Sequence, residues 1–141
     1  MTNAAVALAM QDPTCLIVED NHFDHRMMTR VIDRSRANLQ IQVATTLESA
    51  RNVLSSQPVS LILLDNNLPD GTGANFALEL AKDPNLAGIP VIMVSDWPTP
   101  FMWDKAAKAG VLYVVNKSEF TVSFFLSALR RGFQKRKMRL N

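Results

Sequence analysis

One cysteine, Cys15, stands among the 141 residues, so no internal disulfide can form. That scarcity fits a reducing compartment, and the expected location is the cytoplasm. Cys15 opens an apolar run and reads as a small core residue rather than a reactive thiol. Long apolar runs are missing too; none approaches the ~20 residues of a membrane helix. Ala4 to Met10 is mildly apolar, but it is short and no basic residue precedes it. It therefore reads as part of a disordered N-terminal arm, residues 1–13, rather than as a signal peptide. Acids are absent from the basic C-terminal stretch, where Arg130, Arg131, Lys135, Arg136, Lys137 and Arg139 carry six positive charges. Taking those six from 15 basic residues leaves 9 against 13 acids, an acidic body. A body of that sign with a basic tail (135–141) does not suit a general nucleic-acid binder. No internal repeat and no second domain show, and this length suits one domain with one core.

The stretch that organises the chain is Val59 to Gly73, VSLILLDNNLPDGTG. Leu61 to Leu64 form an apolar run that stops abruptly at Asp65. A short apolar run bounded by turn residues reads as a strand buried on both faces. The following Asn, Pro, Asp and Gly residues are loop chemistry. Asp65 thus sits where a buried strand opens into a loop, and a carboxylate there needs partners.

The rest of the chain repeats this grammar. Cys15 to Val18 is a buried strand ending in Glu19-Asp20. A helix from about Phe23 to Arg34 should turn Phe23, Met27 and Val31 inward, with Met28 and Ile32 as further candidates for that face. Gln40 to Ala44 alternates and reads as an edge strand. Thr46 suits the cap of a helix that buries Leu47, Ala50, Val53 and Leu54. Ala74 to Ala81 is a third helix, and Ile89 to Val94 a fourth strand ending in Ser95-Asp96. Phe101 to Ala109 is a helix stopped by Gly110. Val111 to Val115 is the fifth strand, leading to Lys117, and a last helix runs from Phe120 to about Gln134. Alternation of this kind predicts an α/β fold, a doubly wound five-stranded parallel sheet with helices on both faces.

In such a sheet all carboxyl ends of the strands lie along one edge, where ligands bind. Glu19-Asp20, Asp65, Ser95 and Lys117 can therefore converge. Three carboxylates repel one another, and a divalent cation and a lysine would neutralise them. Oxygen-only ligands favour a hard ion such as Mg²⁺. A carboxylate nucleophile, a metal, a hydroxyl and an ammonium suit phosphoryl transfer onto Asp65.

These residues, in this order and at these strand ends, resemble the receiver domain of two-component response regulators over roughly Thr14 to Phe133, which implies a receiver domain at residues 14–134. The resemblance implies the flavodoxin-like strand order 2-1-3-4-5. It also implies that Asp65 is the phosphoacceptor, that Asp20 binds Mg²⁺ directly, and that Glu19 acts through water. Asn67 would lend a backbone carbonyl to the metal, Ser95 would bond the phosphoryl group, and Lys117 would pair with one of its oxygens. The implied donor is a sensor histidine kinase or histidine phosphotransfer protein. Output would be a contact with a downstream protein, a homodimer being one compatible state. Such a domain is no enzyme beyond its own phosphorylation and dephosphorylation. Three positions depart from the family pattern. Asp96 replaces a small residue after Ser95, Val114 stands where a switch aromatic is usual, and Ser118 replaces the proline after the lysine. Trp97 is then a candidate for part of the switch role.

Blander readings stand beside these. The charged strand ends also suit a structural ion-pair network. His22 and His25 suit a helix surface better than a hard metal. Trp97 to Trp103 can pack on the domain or face a partner. The basic tail complements a helix dipole. Two rival functions remain. One is a phosphorylation-independent pseudo-receiver. The other is a Mg²⁺-dependent phosphohydrolase of the haloacid dehalogenase group, which would need an Asp where Asn67 stands.

Overall fold

The structure is a computed structural model that describes residues 12–140, with side chains described as far as Arg131. Most of the expected arm at 1–13, and the side chains of the tail at 135–141, lie outside the described residues. The main sheet has five strands: β1 (Thr14–Val18), β2 (Gln40–Ala44), β3 (Leu61–Leu64), β4 (Val91–Ser95) and β5 (Tyr113–Asn116). Their order is β2-β1-β3-β4-β5, with every neighbouring pair parallel. Every residue of β1, β3 and β4 is buried, as their unbroken apolar runs require, whereas β2 is mostly accessible at its edge.

Five α-helices cover the sheet among the described residues. They are α1 (His22–Ser35), α2 (Leu47–Ser56), α3 (Gly73–Lys82), α4 (Pro100–Lys108) and α5 (Val122–Leu140). Successive strand residues point to opposite faces, and this divides the core in two. Leu16, Val18, Ile62, Leu64 and Met93 pack with Leu47, Ala50, Phe76, Leu80, Met102 and Ala106 from α2, α3 and α4. Cys15, Ile17, Leu63, Ile92 and Val94 pack with Met28, Ile32, Phe125 and Ala128 from α1 and α5. Fold class and strand order are as expected.

Several expectations need correction. Phe23 is 81% exposed instead of facing inward. The buried residues of α1 are the further candidates Met28 and Ile32, and Met27 and Val31 are partly buried against the same core as expected. At ~100° per residue, Phe23 lies about 140° around the helix from Met28. The loop after Asp65 is partly ordered: Asn67–Leu68 and Gly71–Thr72 form an antiparallel ribbon. β4 extends to Ser95, so Ser95 belongs to the strand rather than following it. α4 is capped at Ala109, with Gly110 next at φ 72°, the left-handed residue beyond the helix. The last helix starts at Val122, because a 3₁₀ turn at Lys117–Glu119 intervenes. Asn116 Oδ1 accepts from the Ser118 N–H at 2.9 Å to set that turn, and Phe120 is buried just before the helix. Thr46 and Ser49 form the capping box of α2, in keeping with its expected start.

Candidate functional site

β1, β3, β4 and β5 deliver their polar ends to one edge. Glu19 follows β1, and its N–H donates to the Ala44 carbonyl of β2 at 3.0 Å. Its side chain is fully buried. Oε1 accepts from the Asn21 N–H at 3.1 Å and from Lys117 Nζ at 3.3 Å, while Oε2 has no partner. Asp20 beside it is exposed. Asp65 follows β3, is 4% exposed, and its N–H donates to the Val18 carbonyl at 3.0 Å. One of its oxygens accepts from the Asn66 N–H at 2.8 Å, and the other lies 3.7 Å from Lys117 Nζ. Carboxylate oxygens of Glu19, Asp20 and Asp65 all fall within 4.8 Å of one another.

Ser95 is buried at the end of β4. The register Leu64↔Met93 sets Asp65 level with Val94, one residue short of Ser95, and Ser95 pairs with Asn116. Asn116 Nδ2 donates to the Asp96 carbonyl at 2.9 Å, tying the loop after β4 to the end of β5. Asn67 lies on the ribbon two residues past Asp65, paired with Thr72. The structure thus brings Glu19, Asp20, Asp65 and Lys117 into one cluster, with Ser95 and Asn67 on the same edge. His22 and His25 stay outside the acidic cluster. They sit on the partly open side of α1 with their ring nitrogens 3.2 Å apart.

Two protonation equilibria reflect this crowding. Burial, reinforced by the neighbouring Asp65 carboxylate, pushes Glu19 from 4.5 up to about 8. Burial opposes the charge on Lys117, but the bond to Asp24 and the carboxylates of Asp65 and Glu19 outweigh it. The ammonium is therefore held above its ordinary value. Cys15 takes no part; it is buried in the core, and desolvation pushes its thiol up to about 12.

Three supporting residues escaped the sequence reading. Asp24, one turn into α1, accepts from Lys117 Nζ at 2.6 Å. Asp70 accepts the N–H groups of Leu47 and Glu48 at 2.8 and 3.0 Å, capping α2 from the loop after the ribbon's first strand. Gly73 packs so closely that a Cβ there would land on the Asp65 carbonyl oxygen. An acid in the first turn after an acidic pair was a visible signal for Asp24. The partners of Asp70 and Gly73 lie elsewhere in the fold, and nothing in their local sequence announced them.

A cluster of three carboxylates, one oxygen of which is buried and unpaired, has the donor set of a hard-cation site. No helix among the described residues is long and apolar enough to cross a membrane. Comparison with known proteins agrees with this fold. Residues 15–128 match the response regulator receiver domain. The two-component response regulator ORR8 of Oryza sativa subsp. japonica is 32% identical over 87 residues, which cover 61% of this chain and 70% of that protein. Among solved structures, the phosphorylated cyanobacterial phytochrome response regulator RcpA superposes with a TM-score of 0.72 at 24% identity, covering 83% of this chain and 89% of that one. A CheY-like receiver domain protein of Methanospirillum hungatei JF-1 superposes at 0.79 with 17% identity, covering 91% and 98%. With the match to the family spanning nearly the whole sheet and its helices, the chain belongs to the response regulator receiver domains of two-component signalling.

Proposed function

We propose that this receiver accepts a phosphoryl group on Asp65 from the phosphohistidine of a sensor histidine kinase or a histidine phosphotransfer protein. In that step the N–P bond of the donor breaks and an O–P bond to the Asp65 carboxylate forms. The observation that carries the reading is the unpaired, buried oxygen of Glu19 inside a cluster of three carboxylates. A purely structural ion-pair network would satisfy its buried oxygens. Glu19, Asp20, Asp65 and the Asn67 carbonyl would hold Mg²⁺, which when bound neutralises the carboxylates and the arriving phosphoryl charge. Ser95 would donate its hydroxyl proton to a phosphoryl oxygen, and Lys117 would supply an ammonium donor. Asp65 is buried just after β3, its N–H bonded to the Val18 carbonyl and one oxygen to the Asn66 N–H, which fixes where the accepting carboxylate lies. The domain turns over no substrate beyond its own phosphorylation and dephosphorylation, and its output is a contact with a downstream protein.

The test is mass measurement after incubation with acetyl phosphate and Mg²⁺. The protein should gain one phosphoryl mass, and Asp65→Asn should gain none. An equal gain by Asp65→Asn would place the phosphoryl group elsewhere. No gain by the folded wild type with this donor or a kinase would favour a phosphorylation-independent interaction module.

A further inference from the structure

Lys117 divides its charge unequally. Nζ lies 2.6 Å from Asp24, 3.3 Å from Glu19, 3.6 Å from Asp96 and 3.7 Å from Asp65. An ammonium has three donors, and here the hydrogen bonds go to Asp24 and Glu19. The shortest thus goes to a carboxylate outside both the acidic cluster and the accepting strand. A contact of that length is at the short end for a charge-assisted bond. Asp24 is also well anchored. Asn21 Oδ1 accepts its N–H at 3.0 Å in the cap of α1, and its side chain is 23% exposed.

We propose that Asp24 is a positioning residue that holds Lys117 away from Asp65 in the resting protein. The lysine then exchanges Asp24 for a phosphoryl oxygen when Asp65 is modified. This rests on Asp65 being the acceptor. Breaking the Asp24 bond costs free energy that is charged to the phosphorylated state, so Asp24 loosens that state. Asp96 differs in kind. Its carboxylate is 57% exposed, makes no hydrogen bond to Lys117 and acts on the site as an outer negative charge.

The experiment titrates beryllofluoride, a phosphoryl mimic, with Mg²⁺ into wild type, Asp24→Asn, Asp24→Glu, Asp96→Asn and Asp65→Asn. Asp24→Asn keeps the shape and removes the charge, so it should bind about fivefold tighter. Asp24→Glu keeps the charge and should gain less. At about 1 M salt, where the Debye length is ~3 Å, the Asp24→Asn gain should persist while any Asp96→Asn gain fades. In a structure of Asp24→Asn, Lys117 Nζ should lie within hydrogen-bond distance of Asp65. If Asp24→Asn fails to fold, Asp24→Ser carries the same expectations. Unchanged or weaker binding by the folded variant, or a gain that fades with salt as for Asp96→Asn, overturns the proposal while leaving Asp65 as acceptor. A wild type that ignores beryllofluoride, or binding that survives in Asp65→Asn, removes the acceptor reading and this proposal with it.

Discussion

Glu19 is fully buried beside the Asp65 carboxylate, and both burial and that neighbour disfavour its charged form. Its folded-state value of about 8 exceeds the ordinary 4.5, so the folded protein retains a proton that the unfolded chain releases between those values. Proton binding favours the folded state there, and stability must fall as pH rises across that window. His25 works in the opposite sense near its ordinary 6.5, because partial burial, His22 and Arg26 hold it lower. A His25→Asn background therefore isolates the contribution of Glu19. In that background the metal-free thermal midpoint should drop from about pH 5 to about pH 8. On the proposed function, Mg²⁺ would be held by the ionised carboxylate, so adding it should restore more stability at the higher pH. A midpoint that climbs over this range, with Glu19 intact, would contradict the assignment. Asp20 is exposed and adjacent, suited to touching the ion directly. Asp20→Ala should weaken Mg²⁺ affinity ~10-fold or more, since a lost charged ligand removes at least ~1.4 kcal/mol. Calorimetric titration showing wild-type affinity in that variant would exclude direct ligation.

At the scale of the element, the site depends on how the β3–α3 connection is folded. The Gly73 N–H donates to the Asn66 carbonyl at 2.8 Å, and Asn66 Oδ1 accepts from the Ala74 N–H at 3.0 Å. These bonds curl the chain back so that the start of α3 presses on Asp65. Gly73→Ala puts a methyl group against that carbonyl and should destabilise the fold by roughly 1–3 kcal/mol, as overpacking does. It should also slow phosphorylation by displacing Asp65. Denaturant unfolding and phosphorylation rate check the two effects, and a variant with wild-type values in both would show that the connection adapts freely. The strands were legible in the sequence because apolar runs ending in Glu19, Asp65 and Ser95 signal burial and exit locally. The helix faces were less so, as Phe23 shows, because amphipathic period alone does not fix which way a first turn faces. Asp24 stands 93 residues from Lys117 in the chain, and Asp70 stands 23 from Leu47. No local pattern encodes such pairs; they exist only once the sheet has brought the strand ends together.

Across the whole molecule, the proposed output by protein contact needs a surface, and the exposed aromatic residues after β4 are the candidate for it. Trp97 and Phe101 are 83% and 81% exposed, and Trp103 is 51% exposed. They are not absorbed into the core, which favours a partner surface over packing on the domain. Val114 faces the α2–α4 side, and the groove of about 220 Å³ beside it is lined by Trp103, Ala106 and Ala107. Trp103, rather than Trp97, thus borders the place of the missing aromatic, while Tyr113 turns to the opposite face against Phe124. Trp97 stands two residues beyond buried Ser95, in a loop whose Asp96 carbonyl is tied to Asn116. If Ser95 moves to bond a phosphoryl group on Asp65, the short tether to Trp97 moves with it. Beryllofluoride with Mg²⁺ should then shift Trp97 emission, measured in a Trp103→Phe background so that one indole reports. The shift should vanish in Asp65→Asn and shrink in Ser95→Ala, because the first removes the anchor and the second the hydroxyl that follows it. A spectrum that ignores bound beryllofluoride would mean that this loop stays still, and that the signal leaves the site through another face.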